Sequence, residues 1–306
     1  MTDQRGYLHE FIEQFGSAWT KFWFTPRDPS TVAVLRILVG LLAAYFVLSH
    51  TADLQTWFGP EGIFSSQAIA QLDDASLSPG AYHLSYLHWA QTPTALWTLH
   101  GAGLVVIACF VAGLWTRITS LGTLVVVLAY VHRGPLLTGP FEPVLTMLLA
   151  YLCLAPAGSY WSLDAWRAGN LTRQPSWTAN VAVRLIQVHL AGLSVMVGLN
   201  MLAADTWWGG EAMWWLIARS ETRLVDLTPW IPNMMVINAW THVTVAYLLV
   251  FGVLIWNRLA RPILLILGVP IWVGLALASG QVAWCVAMCV ASLAFVDGSG
   301  LRRTTE

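Results

Sequence analysis

The 306-residue chain is predicted to be an all-α, polytopic membrane bundle of about eight transmembrane helices, preceded by an interfacial amphipathic helix. Three observations carry that expectation. The sequence is 57% hydrophobic and 10% charged, a balance that would leave a soluble protein with far too much exposed apolar surface. It holds repeated apolar runs near the roughly 20 residues that a helix needs to cross about 30 Å of hydrocarbon. Its basic residues sort by loop, as the positive-inside rule requires.

The chain divides into residues 1–27, a cytoplasmic interfacial helix; 28–297, the transmembrane domain; and 298–306, a cytoplasmic tail. In the first segment Leu8, Phe11, Ile12, Phe15, Trp19, Phe22 and Trp23 recur at helical spacing, opposite Glu10, Glu13, Gln14, Ser17 and Thr20. Such a helix is too polar to span and suits the membrane surface, or a partner surface; Thr25-Pro26 closes it. No cleavable leader is expected from the mixed, polar opening. Spans are expected at about 32–49, 94–114, 118–131, 142–157, 180–203, 240–257, 262–279 and 281–296, the third and last being short.

With eight crossings, Arg5, Lys21, Arg27, Arg117, Arg167, Arg173, Arg258, Arg261, Arg302 and Arg303 fall on one side, against Arg133, Arg219 and Arg223 on the other. That places a multi-pass protein in the cell membrane with both termini cytoplasmic. The long segments 50–93 and 204–239 then fold over the outer mouth, with short helices near 65–72 and 211–219. A net charge of −1 and the lack of a basic tract exclude a nucleic-acid partner; membrane lipids and a membrane-protein partner remain.

The segment 184–215 is the expected centre. Arg184, Gln187, Ala191, Ser194, Gly198 and Met201 form a polar or small stripe suited to helix packing or a cavity. The helix runs into Trp207, Trp208, Trp214 and Trp215, rings that suit the membrane interface. His189 is an intramembrane site candidate, or a histidine satisfied by a neighbouring carbonyl, and it shares a face with Asn200. His132-Arg133 and Glu142 flank a Gly-Pro turn; an Arg133–Glu142 ion pair there would serve a cavity mouth or simply rest among headgroups. Arg36 and Arg184 either snorkel to the inner interface or hold a phosphate or carboxylate. His50, His83, His88, His100 and His242 gather toward the outer side, yet no HxxxH or HExxH spacing appears and no metal is expected. Cys109, Cys153, Cys285 and Cys289 lie in apolar spans and read as small hydrophobes. Hydrolase, phosphate-loop and dinucleotide signatures are absent.

Six segments, VLRILVGLL (34–42), YVHRGP (130–135), YWSLDAW (160–166), RLIQVHLAGL (184–193), DTWWGGEAMWW (205–215) and THVTVAYLLVFGVLIWNRLARP (241–262), resemble the HTTM family. This is the membrane domain shared with vitamin K-dependent γ-carboxylase, and the likeness is to its compact bacterial members. The resemblance covers about residues 28–297 and implies an eight- or nine-span bundle with an outward-facing cavity. In the carboxylase a buried lysine starts quinone oxidation, and the base so formed deprotonates a glutamate that captures CO₂. The matching stretch here reads GLNML, with Met201 in the lysine's place, and the chain's only lysine is Lys21. Tyr247-Leu248 stand where the family pattern has an acidic residue, and Trp272 where it has a histidine. A thioether takes no proton, so carboxylation is not expected, although His132, Arg133, Arg184, His189 and His242 match the scaffold motifs.

Three functions follow. The first is a non-carboxylating bundle that binds a lipid, a quinone-like ligand or a membrane partner, with Arg133, Glu142, Arg184, Gln187, Asn200, Met201, Trp207, Trp208 and His242 as candidate contacts. The second is an enzyme of quinone-linked or carboxylase-like chemistry with His189 or His132 as base. The third is a transporter, ranked last because no paired repeat is visible.

Overall fold

The structure, a computed structural model, describes residues 2–74, 85–169, 174–231 and 233–296. His83, Arg173, Arg302, Arg303 and the tail at 298–306 lie outside these residues. Among the described residues no strand forms; one isolated antiparallel bridge pairs Arg27 with Ser176. The rest is helical: α1 Thr2–Phe24, α2 Ser30–Ser49, α3 Leu54–Phe58, α4 Ser66–Asp74, α5 Pro93–Ala112, α6 Thr116–Arg133, α7 Phe141–Leu154, α8 Leu163–Arg167, α9 Trp177–Ala203, α10 Asp205–Trp208, α11 Ala212–Ala218, α12 Met234–Leu254, α13 Ala260–Ser279 and α14 Val282–Ser292. The short helices expected near 65–72 and 211–219 are α4 and α11.

Five helices, α2, α5, α9, α12 and α13, are long and apolar enough to cross a membrane. α7 and α14 are shorter and apolar, while α6 has 18 residues and carries Arg117 and Arg133 near its two ends. The bundle has an apolar core that also holds polar groups, and its outer faces are apolar as well. Arg36, Arg133, His100, Gln187 and Ser194 are buried, whereas Val105, Ile118, Val253 and Ile266 stand exposed on the helix faces. Hydrocarbon is the solvent in which that arrangement is favourable.

Two sets of contacts mark the ends of the bundle. At one end Asn180 Nδ2 donates to the carbonyls of Phe22 and Trp23, each at 2.9 Å, tying the end of α1 to the start of α9. Arg27 Nη2 donates to Val296 O at 3.1 Å, and the Trp256 ring meets those of Phe22 and Phe295 at 6.1 and 5.5 Å. At the other end Thr51 Oγ1 lies 3.0 Å from His100 Nε2, Ser85 Oγ donates to Ala129 O at 2.8 Å, and Leu224 N–H donates to Leu277 O at 3.3 Å. The helices α2, α5, α6, α7, α9, α12, α13 and α14 all run between these two ends.

Arg36 is the pin of the first end. It is fully buried, donating from Nη1 to Ala157 O at 2.8 Å and Tyr160 O at 3.4 Å, and from Nη2 to Trp161 O at 2.6 Å. It therefore neither snorkels nor faces a ligand; it satisfies carbonyls of the loop between α7 and α8. Gly113 closes α5 in the left-handed region at φ 73°, its N–H and that of Leu114 bonding back to Phe110 and Cys109. A Cβ there would overlap Ser162 Cβ and sit 2.7 Å from Arg36 Nη1. Asp164 then reaches across from α8, accepting from Trp115 N–H at 2.8 Å, Thr116 N–H at 2.9 Å and Thr116 Oγ1 at 3.1 Å. This supplies the cap that α6 lacks locally, and α6 starts two residues earlier than its apolar run alone suggests.

The α9 helix lies at the centre and packs against α1, α2, α7, α12 and α14. Its closest partner is α12. A Cβ on Gly252 would overlap Val195 Cγ2 and lie 2.7 Å from Ala191 O, so the two backbones touch with no room for a side chain. The expected stripe is what α9 turns inward: Gln187, Ala191, Ser194 and Gly198 are buried, and Arg184 and Met201 at its ends are half-buried.

Candidate functional site

Between α12, α13 and α14 lies an apolar cleft of about 490 Å³. Its walls include Tyr247 from α12, Trp272 and Ala276 from α13, and Cys285, Val286 and Cys289 from α14. Helical spacing aligns each set: Trp272 and Ala276 are four apart, as are Cys285 and Cys289, so each pair sits on one face. Aromatic rings fix the wall geometry. Trp272 meets Tyr247 edge-on at 6.5 Å and Trp284 edge-on at 5.4 Å. The Tyr247 hydroxyl donates to Leu264 O at 3.3 Å, leaving few polar groups aimed into the space. Tyr247 and Trp272 thus share one cleft, whereas Leu248 packs against Gly198 and does not line it. Met201 is half-buried against the core and does not line it.

A second cleft of about 620 Å³, the outer cleft, opens at the second end of the bundle, among the C-terminal end of α2, α3 and the N-terminal ends of α7 and α14. Its lining includes Tyr45, Phe46, His50, Trp57, Glu142 and Trp284, and it shares Leu224 and Val282 with the apolar cleft. Glu142 is 9% exposed and sits in the first turn of α7, where Oε2 accepts from Gly139 N–H at 2.7 Å. A carboxylate there is favoured by the unpaired N–H groups of the helix start.

The expected Arg133–Glu142 ion pair does not form. Arg133 is 1% exposed and turns instead to Ser66 Oγ at 3.0 Å and to His88 Nδ1. It holds α4 and the turn at Tyr86–Trp89 onto the bundle, because a buried guanidinium needs acceptors and Ser66 and His88 lie within its reach. His100 and His50 are likewise engaged in bonds within the protein. His100 Nδ1 lies 2.7 Å from the Tyr130 hydroxyl while its Nε2 meets Thr51, and His50 Nδ1–H donates to Phe46 O at 2.7 Å. Burial lowers the His50 pKa and pushes that of Tyr86 up to about 12. Among the described residues no group of three or more His, Cys, Asp or Glu could hold a metal.

The other expected contacts do not converge. His132 Nδ1–H donates to Leu128 O at 2.8 Å, within its own helix. His189 is exposed on the outward face of α9, with Nδ1 2.9 Å from the Tyr151 hydroxyl, and Asn200 is exposed as well. His189 and Asn200 do share a face, as expected, but it points away from the bundle. Arg184 Nη1 donates to Gln187 Oε1 at 2.9 Å and its guanidinium lies 4.3 Å over the Phe22 ring, while Gln187 Nε2 donates to Ala294 O at 2.8 Å. These tie α9 to α1 and to the chain after α14. Trp207 packs on the core, Trp208 is 69% exposed, and His242 sits with Nδ1 2.8 Å from Asn238 O and Nε2 3.2 Å from Trp208 O. The cleft residues Tyr45, Trp57, Trp284 and Ala276 were not singled out in the sequence; five aromatic rings on α2, α3, α7 and α14 were the available signal.

Fold and clefts together define a helical bundle in which five helices are long and apolar enough to cross a membrane, with an apolar cleft in its flank. Compared with protein-family models, curated proteins and solved structures, the chain matches none.

Proposed function

We propose that the chain is a multi-pass protein of the cell membrane, similar to the HTTM family and non-carboxylating, that holds a hydrophobic ligand in the apolar cleft. Its eight bundle helices each cross the membrane, and both ends of the chain face the cytoplasm. In support of the crossing count, α6, α7 and α14 reach between the same two ends as the longer helices, so their shortness reflects buried caps and neighbours. Basic Arg27, Arg117, Arg167, Arg258 and Arg261 gather at the α1 end. The ligand is a lipid chain or a quinone-like ring, because an apolar cleft with few polar groups favours such molecules.

The observation that carries the reading is the lining of the cleft. Tyr247, Trp272, Ala276, Cys285 and Cys289 wall it with no aspartate, glutamate, histidine, lysine or arginine among them or in the rest of the lining, so the space is shaped for an apolar group. Val286 lines the cleft and is 42% exposed, so Val286→Trp should fill the space without disturbing the core. Native mass spectrometry of the protein in mild detergent should find a stoichiometric lipid- or quinone-sized mass, lost in that variant. A mass retained by Val286→Trp, or a bare protein, would overturn the reading.

A membrane-protein partner is the second reading, favoured by His189 and Asn200 on the outward face of α9. It predicts a protein-sized mass instead, lost on His189→Leu. The enzymatic reading with His189 or His132 as base gains no support, since neither lines the two clefts.

A further inference from the structure

We propose that the outer cleft recognises an organic ammonium group. Resting on the reading of the apolar cleft as a ligand site, we further infer that the two clefts hold one amphiphile, its ammonium head beside Glu142 and its tail along α14.

The lining of the outer cleft carries the first half. Phe46, Phe141, Tyr45, Trp57 and Trp284 surround it, and Glu142 is its only acid. Electron-rich ring faces joined by a single carboxylate form the environment in which ammonium and quaternary ammonium groups bind, since the ring quadrupole and the negative charge both favour a weakly hydrated cation. Glu142 is more than nine-tenths buried, and only Oε2 is engaged, by Gly139 N–H. Oε1 has no hydrogen-bond partner among the described residues. Oε1 stays accessible from the cleft, so an entering cation can pair with it directly.

The lining also excludes other ligands. It contains no lysine or arginine, and the nearby guanidinium of Arg133 is directed to Ser66 and His88, so an anion would meet only repulsion from Glu142. His50 is the lining's one basic side chain; Nδ1 is committed to Phe46 O, and burial disfavours its charged form. A hard divalent ion would require several oxygen ligands, and one carboxylate with aromatic rings does not supply them.

Continuity carries the second half. Leu224 and Val282 line both clefts, so the polar mouth opens directly onto the apolar slot at the outer end of α14. A head site at the membrane surface above a tail site at membrane depth is the shape of an amphiphile. The ammonium chemistry has two sources, a phospholipid head or a free alkylammonium molecule, and an experiment can separate them.

Purified full-length protein would be equilibrated with phosphatidylethanolamine and phosphatidylglycerol of identical chains, and the retained lipids counted by native mass spectrometry. The wild type should prefer phosphatidylethanolamine by at least about fivefold. Glu142→Gln keeps an oxygen for Gly139 N–H, so it should fold, retain both lipids and lose the preference. Tyr45→Leu, at a side chain 57% exposed, should weaken the preference through loss of one ring even if the first variant misfolds. Val286→Trp should lose both lipids together. Tetramethylammonium titrated calorimetrically should bind the wild type and not Glu142→Gln if the natural ligand is a free ammonium; binding seen only with the lipid assigns the head of a phospholipid.

An unchanged lipid ratio in Glu142→Gln and Tyr45→Leu, or none in the wild type, would overturn the ammonium site while leaving the apolar cleft standing. A normal preference in Val286→Trp would overturn the apolar cleft as tail site while leaving the ammonium site.

Discussion

Replacing Arg36 by methionine tests the packing of the whole α1 end of the bundle. The guanidinium makes two short bonds, 2.8 Å to Ala157 O and 2.6 Å to Trp161 O, and a longer one of 3.4 Å to Tyr160 O. Methionine fills much of the volume but orphans two buried carbonyls, at about 1–3 kcal/mol each. Removing a buried charge, whose Nε already lacks a partner, returns part of that. The net loss should be about 3 kcal/mol, near the lower end for breaking a buried charged contact. Trp161 adds to the sensitivity, since it holds a left-handed φ of 43° and such strain persists only where its surroundings enforce it. Thermal unfolding in detergent, followed by the monodisperse fraction on size exclusion, should show a midpoint lowered by about 6–10 °C. Arg36→Lys reaches one carbonyl and should lose about half as much. The exposed Arg117 is the control, and Arg117→Met should change little. An Arg36→Met midpoint equal to wild type would refute the assignment of Arg36 as the structural pin.

Three further outcomes are expected. Burial acts to raise the Asp164 pKa, but the N–H groups of Thr116 and Trp115 outweigh it, and the net pKa lies below the ordinary value. The folded state thus binds that proton less readily than the unfolded one, so the stabilisation is present at neutral pH and is lost as pH falls below about 4. Asp164→Asn should cost about 1 kcal/mol at pH 7 and flatten the acid limb of the unfolding midpoint against pH. Gly252→Val should destabilise by about 2 kcal/mol, because its side chain would meet Ala191 O and Val195; a normal midpoint would show that α9 and α12 can separate freely. Arg133→Leu should release α4 and the Tyr86–Trp89 turn, read as new protease cleavage between residues 66 and 89; a wild-type cleavage pattern would contradict the anchoring role.

Much of the bundle was legible because hydrocarbon imposes simple rules on composition and length. Each expected apolar run corresponds to a bundle helix, and α9 turns inward the polar and small stripe read from its sequence. The same helical wheel bears on His189. It lies two residues after Gln187, about 200° around the helix, so a buried Gln187 directs His189 outward. What the sequence left open depends on partners far along the chain. The α6 cap comes from Asp164, and Arg36 finds its acceptors at Ala157 and Trp161. Arg133 had an attractive neighbour in Glu142, yet the loop bearing Ser66 and His88 folds back to claim it. The clefts were invisible for a related reason, since their walls come from three helices in one case and four in the other, and no single segment carries them.

The most direct test of the ligand-binding cleft is an electron-microscopy map of the protein in lipid nanodiscs, examined between α12, α13 and α14. Elongated non-protein density against Tyr247 and Trp272, reaching upward to Glu142, is expected. A cleft closed by its own side chains, with α13 and α14 in direct contact along Trp272, Cys285 and Cys289, would contradict it.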